Sequence, residues 1–197
     1  MVLVLLALVG AALLLLALQR WRQRLAGRRR SRLRSCTLFS LQIGDIVQAE
    51  ASDWVVEEQL LYDQQGFQWL EYLLRDGARR RWLVVCEDDG LELSWLEEIQ
   101  LDPSPGWPLP LQLHWQGIGY RLQEQGEAMV RASQRSLNRG PARCRFADYE
   151  GPDGAVLALE LRGQPPTAIE LEACAGRRID PHSLSLLPGD GRSVYRP

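Results

Sequence analysis

The residues best suited to chemistry in this sequence are an aromatic ring, a carboxylate and a tyrosine in one aromatic stretch, at Trp69, Glu71 and Tyr72. Side chains alternate between the two faces of a strand, so Trp69 and Glu71 would share one face while Tyr72 faces the core. An aromatic ring beside an acid can bind a basic or extended peptide. The simpler interpretation, which we favour, is a packed layer in which Glu71 pairs across a hairpin with one of the arginines at 79–81.

A similar pattern recurs 77 residues later along the chain. Trp69-Leu70-Glu71-Tyr72 precedes Asp76-Gly77, and Phe146-Ala147-Asp148-Tyr149 precedes Asp153-Gly154. We interpret this as a tandem duplication of one β unit. Chance similarity between hairpins is the alternative, because Asp-Gly turns between aromatic strands are common. The candidate partner-binding residues are Trp69, Glu71, Trp82 and Asp148.

The sequence carries no recognisable catalytic motif. The adjacent carboxylates at 87–89 precede a glycine in a predicted turn, where solvated acids are expected. No serine or cysteine lies in a nucleophile motif, and Gly117-Ile118-Gly119 lacks the third glycine of a dinucleotide loop. We predict that the protein is not an enzyme. The alternative, a hydrolase-type activity, would need a cleft with acids from both repeats, such as Glu71 and Asp148.

The sequence also predicts no metal site and no cofactor. Its histidines and cysteines are scattered, and no two cysteines form a Cys-x-x-Cys pair, so their spacing does not support a zinc site. In a cytoplasmic domain these cysteines would stay reduced. The residues concerned are His114, His182, Cys36, Cys86, Cys144 and Cys174.

The elements that must position these residues are mainly β. Short apolar and aromatic stretches alternate with glycine-containing turns at about ten-residue spacing, a pattern typical of an antiparallel sandwich or barrel. One segment with four prolines, at 102–110, interrupts this pattern. The predicted organisation is a first β unit at 36–101, a proline-rich linker at 102–110, a second β unit at 111–190 and a tail at 191–197. The two units would be pseudo-repeats that can pack as one domain.

Residues 1–18 contain no charged side chain and are predicted to form a transmembrane helix. At about 1.5 Å per residue this helix would span about 27 Å, close to a bilayer core of about 30 Å. A cleaved signal peptide is the main alternative, but no basic residue precedes the apolar run and no small-x-small site ends it. A second alternative is a buried helix of a soluble domain.

An arginine-rich collar follows at 19–35, and the first acidic residue of the chain is Asp45. Positively charged flanks stay in the cytoplasm, so we predict a single-pass protein of the cell membrane with its N-terminus outside and its β domain in the cytoplasm. Residues 1–34 would contact lipids. The candidate contacts to lipid head groups are Arg20, Arg22, Arg24, Arg28, Arg29 and Arg30.

The rest of the chain is acidic. Residues 36–197 carry 25 acidic side chains against 15 arginines, and the whole sequence lacks lysine. Nucleic-acid binding is therefore not expected, because it requires clustered cations. An acidic domain favours a partner with a basic face.

Three segments of the first β unit resemble a family of uncharacterised bacterial and archaeal domains, the domain of unknown function family 4178. They are Gly44-Asp45-Ile46-Val47, Trp69-Leu70-Glu71-Tyr72-Leu73-Leu74 and Arg81-Trp82-Leu83. The resemblance covers most of residues 38–188, with the family's second half falling at Gly119 through Pro188. It implies a β-rich domain without an assigned activity, often associated with membrane proteins.

These features together predict a membrane-anchored scaffold whose β domain binds a membrane-associated protein. The helix would confine the domain to two dimensions and so raise its effective concentration near that partner. The alternative is a sensor that binds a small ligand between the two β units.

Overall fold

The computed structural model of the chain describes residues 35–102, 104–105, 108–132, 142–162 and 170–195. Within these ranges, no helix is long and apolar enough to cross a membrane. The predicted transmembrane helix at 1–18, the six candidate lipid-contact arginines and nearly all of the collar lie outside the described residues.

The described residues form eleven β-strands. In chain order they are β1 (Ile46–Ala49), β2 (Ser52–Gln64), β3 (Phe67–Asp76), β4 (Arg79–Glu87), β5 (Leu91–Ile99), β6 (Gln112–Trp115), β7 (Ile118–Ala132), β8 (Ala142–Glu150), β9 (Ala155–Arg162), β10 (Glu170–Ile179) and β11 (Ser185–Leu187). The prediction of a mainly β protein is confirmed.

All eleven strands belong to one antiparallel sheet rather than to the two packed sheets of a sandwich. Strands β1 to β5 form one meander and β6 to β10 form a second, each strand pairing with the next along the chain. The meanders join where β5 pairs with β10 and where β2 pairs with β7. These two joints close eight strands into a barrel-like ring, with β1, β6 and β11 outside it.

The two meanders share local features as well as strand order. The register shifts between Val56 and Glu58 in β2 and between Leu122 and Glu124 in β7, the second strand of each meander. Such irregularities bend a strand and increase its twist, which helps a long sheet to curl into a ring.

A tyrosine fixes each meander to the segment that precedes it. The Tyr72 hydroxyl donates to the Leu38 carbonyl at 2.7 Å, and the Tyr149 hydroxyl donates to the Pro110 carbonyl at 2.9 Å. Tyr72 is fully buried, as the alternation of its strand predicted. The two tyrosines occupy matching places in the 77-residue alignment, and each hydroxyl donates to a backbone carbonyl of the segment before its meander.

One face of the ring strands packs into two separate apolar clusters. Trp54, Tyr72 and Trp95 belong to the cluster of the first meander, while Tyr149 and Leu157 belong to that of the second. The opposite face contributes a third cluster that both meanders share. Each meander therefore has its own core, and the strand faces that the two meanders share enclose the space between them.

Candidate functional site

The shared face of the ring surrounds a cavity of about 820 Å³. Each of the eight ring strands contributes at least one side chain to its lining. The cavity therefore lies between the two meanders, and its volume is in the range of small-molecule sites.

An aromatic wall crosses from one meander to the other. The rings of Tyr62 and Trp69 stack with centroids 4.9 Å apart, and Trp69 meets the ring of Phe146 edge-on at 5.2 Å. Trp69 and Phe146 are matching residues of the 77-residue alignment, and the two meanders meet at this contact. Their packing fixes the orientation of the Trp69 ring beside the cavity.

Glu71 lies next to this wall, and Trp69 Nε1 donates to Glu71 Oε1 at 3.1 Å. The preferred prediction of a cross-hairpin pair was wrong, because Arg80 and Arg81 pair with Glu98 and Glu97 across the other neighbouring strand. Arg79 pairs with Asp76. Burial, reinforced by the negative charge of Glu160, raises the pKa of Glu71 to about 8.

Asp148 is the matching carboxyl of the second meander. It stands opposite Glu124 on β7 and Ala158 on β9. Burial, followed by the charge of Glu124, raises its pKa to about 7. Its negative charge also contributes to the raised pKa of Glu71, and both carboxyl groups line the same cavity.

A second charged group lies on the wall formed by β9 and β10. Arg162 holds both oxygens of Glu160, at 2.7 and 2.9 Å, and lies 3.3 Å from Glu172. The Tyr62 hydroxyl donates to Glu160 Oε2 at 2.9 Å. Sequence reasoning missed this group, although β9 alternates leucines with other residues and so places Glu160 and Arg162 together on the face opposite the leucines.

The cavity is strongly acidic. Of the side chains described, nine carboxylates and three guanidinium groups line it. Arg178 pairs with Glu92 and Glu150 at its rim, and Arg80 pairs with Glu98. The guanidinium groups therefore neutralise only part of the negative charge.

All four candidate partner-binding residues line this cavity: Trp69, Glu71, Trp82 and Asp148. Trp82 Nε1 approaches Glu98 Oε1 at 3.4 Å, near the opening. These four residues were predicted to contact a protein partner, with Trp69 and Glu71 on one strand face, and in the structure they line the space between the two meanders.

The thiols do not form a reactive centre. Burial raises the pKa of Cys86, Cys144 and Cys174, which keeps them as thiols rather than nucleophilic thiolates. All four cysteines lie in the described ranges, and none of them forms a disulfide there. Across the described ranges, no three His, Cys, Asp or Glu side chains are arranged to hold a metal ion.

The fold and the site together define a β-ring domain with an acidic, aromatic-walled cavity between two similar halves. The family described as Domain of unknown function (DUF4178) matches residues 42–181, and the chain belongs to this family. The resemblance seen in the sequence is thereby confirmed.

Two relatives illustrate the reach of this similarity. An uncharacterized protein of Aquifex aeolicus (strain VF5) is 27% identical over 161 residues, which is 77% of this chain and 85% of that protein. An uncharacterized protein of Mycobacterium tuberculosis (strain ATCC 25618 / H37Rv) is 34% identical over 87 residues, covering 43% of this chain and 40% of that protein. No solved structure matches the chain significantly.

Proposed function

We propose that this domain is a small-ligand sensor that binds its ligand in the cavity between the two meanders. The observation that carries this proposal is the cavity itself, which all eight ring strands line with both aromatic and charged side chains. A space of this size with a few directed polar groups is the usual form of a ligand site. Because the four residues first assigned to a protein partner face it, the sensor is favoured over the scaffold.

The arrangement of the sheet in two meanders suggests how the protein could sense a ligand. The units have separate cores and meet through the β2–β7 and β5–β10 joints and the Trp69–Phe146 contact. A ligand held by both units would favour one relative arrangement of them, which is the differential contact that a sensor requires.

Filling the cavity next to Asp148 should weaken ligand binding. Ala158 lines the cavity between Asp148 and Cys174, its partners on the neighbouring strands. A phenyl group at this position would occupy the space beside the carboxyl. We expect Ala158→Phe to lower affinity by about tenfold or more in titrations followed by tryptophan fluorescence. The ligands are phenyl, cyclohexyl and hexyl compounds that each carry an amine, a hydroxyl or a carboxylate.

Ala142→Phe is the matched control, because Ala142 is exposed and does not line the cavity. It should leave binding unchanged in the full-length protein. If no member of this series causes a saturable change in the wild type, or if the two variants behave alike, the proposed function is wrong.

We further propose that residues 1–18 attach this sensor to the cell membrane, with the collar setting its orientation. The support is the sequence: an uncharged apolar segment long enough to span a bilayer, followed by eight arginines. Deletion of residues 1–34 should move the protein from the membrane fraction, resistant to alkaline extraction, to the soluble fraction. A copy with glutamine at all eight collar arginines should stay in the membrane but lose its uniform orientation. A deleted copy that remains membrane-bound would contradict the proposal.

A further inference from the structure

We propose that the ligand is an organic cation, held by the carboxyl groups of Glu71 and Asp148 beside the aromatic wall of the cavity. This inference rests on the proposed ligand-binding function and adds the chemical class of the ligand. It follows from how the charges of the cavity are distributed, from what the two carboxyl groups contact, and from the aromatic surface beside them.

The arginines of the cavity are already engaged away from these two carboxyl groups. Arg162 binds Glu160 and Glu172, while Arg80 and Arg178 pair with acids elsewhere in the lining. In the described ranges, Glu71, Glu124 and Asp148 have no ion pair with a guanidinium group. The negative charge of the cavity is therefore least compensated where the two meanders face each other.

Few hydrogen bonds reach the carboxyl pair from the protein. Trp69 Nε1 donates to Glu71, whereas the Tyr62 hydroxyl donates to Glu160. Asp148 receives no hydrogen bond from any side chain or backbone group among the residues described. Asp148 is partly buried and lines the cavity, so its carboxyl oxygens can accept hydrogen bonds from a bound ligand.

The charges and aromatic rings around Glu71 and Asp148 favour one chemical class of ligand. An anion would be repelled by the surplus of carboxylates, and the described residues hold no cluster suited to a metal ion. An ammonium or guanidinium group carries a positive charge and several N–H donors, so it can form charge-assisted hydrogen bonds with carboxyl groups of both meanders. The apolar remainder of the ligand can lie along the Tyr62, Trp69 and Phe146 wall.

Binding of a cation should be coupled to proton release. The two carboxyl groups have pKa values of about 8 and about 7, so in the free protein they retain protons near neutral pH. A positive charge between them favours their ionised forms and lowers both pKa values. Affinity for an amine should therefore rise between about pH 6 and about pH 9, while the amine itself stays protonated.

The test is calorimetric titration of the full-length protein with phenethylamine, 2-phenylethanol and 3-phenylpropanoate. We expect the amine to bind about tenfold or more tightly than the alcohol, with protons released, and the carboxylate to bind least. Glu71→Gln and Asp148→Asn should each weaken amine binding by about tenfold and leave the alcohol unaffected. Glu127→Gln removes an exposed carboxylate paired with Arg143 and should change nothing.

Each other outcome has a distinct meaning. If the alcohol or the carboxylate binds as tightly as the amine and Ala158→Phe weakens that binding, the cavity is a ligand site but the cationic class is wrong. Amine binding that Asp148→Asn does not weaken would also overturn the inference. If none of the three compounds binds, nor any member of the wider series, the proposed function fails together with it.

Discussion

Replacement of Asp45 by alanine should lower the free energy of unfolding by about 3 to 5 kcal/mol. Asp45 is fully buried immediately before β1. Its Oδ2 accepts from the Gln42 amide at 2.7 Å, and its Oδ1 accepts from the Gly189 amide at 2.8 Å. Alanine would leave both amide groups without their acceptor at a partly buried site, which is more costly than the loss of an ordinary exposed hydrogen bond.

The Gly189 contact gives this substitution an effect beyond its own site. Residues 189–195 lie against the first meander: the Ser193 hydroxyl bonds to Glu57, and the Tyr195 hydroxyl accepts from the Gly77 amide at 2.7 Å. Without the Asp45 acceptor, one end of this segment loses its attachment. We therefore expect Asp45→Ala to expose the segment to proteolysis as well as to lower stability.

Chemical denaturation of the full-length protein, followed by circular dichroism, measures this loss. Asp53→Ala is the matched control, because Asp53 is exposed and bonds only to the Gln48 side chain in the described contacts. Asp45→Asn should fall between them, since its amide oxygen can replace one of the two acceptors. Equal losses for Asp45→Ala and Asp53→Ala would contradict the argument.

The backbone conformation at position 44 explains why a glycine precedes Asp45. Its φ is +89°, a conformation that costs a side-chain-bearing residue about 1 kcal/mol or more. A Cβ atom there would also overlap the backbone of Arg192. The sequence marks Gly44-Asp45 as a motif, but it contains no local signal for partners that lie more than 140 residues later.

The same division between local and distant information holds for the fold. The strands, the Asp76-Gly77 turn and the buried face of Tyr72 could be predicted, because alternation and turn chemistry act over a few residues. The β2–β7 and β5–β10 joints could not, since nothing within one strand identifies a partner from the other meander. Because these joints close the ring, the strand face that carries Trp69 lines the cavity instead of forming an additional packed layer.

The candidate site shows this dependence in a single residue. Glu71 was predicted as a site residue because it shares a strand face with the aromatic ring of Trp69. Asp148 was predicted because it occupies the matching position 77 residues later. The sequence paired Glu71 with the nearest arginines, which are the local choice. Those arginines pair instead with Glu97 and Glu98 on β5. Glu71 is thereby left with Trp69 and with a carboxyl group of the opposite meander.

The ligand-free protein should lose stability as pH rises from about 5 to about 8, and Glu71 and Asp148 should cause much of that loss. Their pKa values in the folded protein are about 8 and about 7, against 4.5 and 3.8 for unperturbed side chains. Between those values the folded state holds protons that the unfolded state has released. Stability therefore falls with rising pH, by up to about 1.4 kcal/mol per pH unit for each group.

Glu71→Gln isolates this effect from other titrating groups, because it keeps the shape of the side chain and removes its charge. The variant should match the wild type near pH 5 and exceed its free energy of unfolding by about 3 kcal/mol near pH 8. Glu127→Gln, at an exposed ion pair, should show no such divergence. Saturating phenethylamine should reduce the difference, because the cation offsets the charge that destabilises the wild type. Parallel stability curves for wild type and Glu71→Gln across this range would show that Glu71 ionises in the folded state as readily as in the unfolded chain.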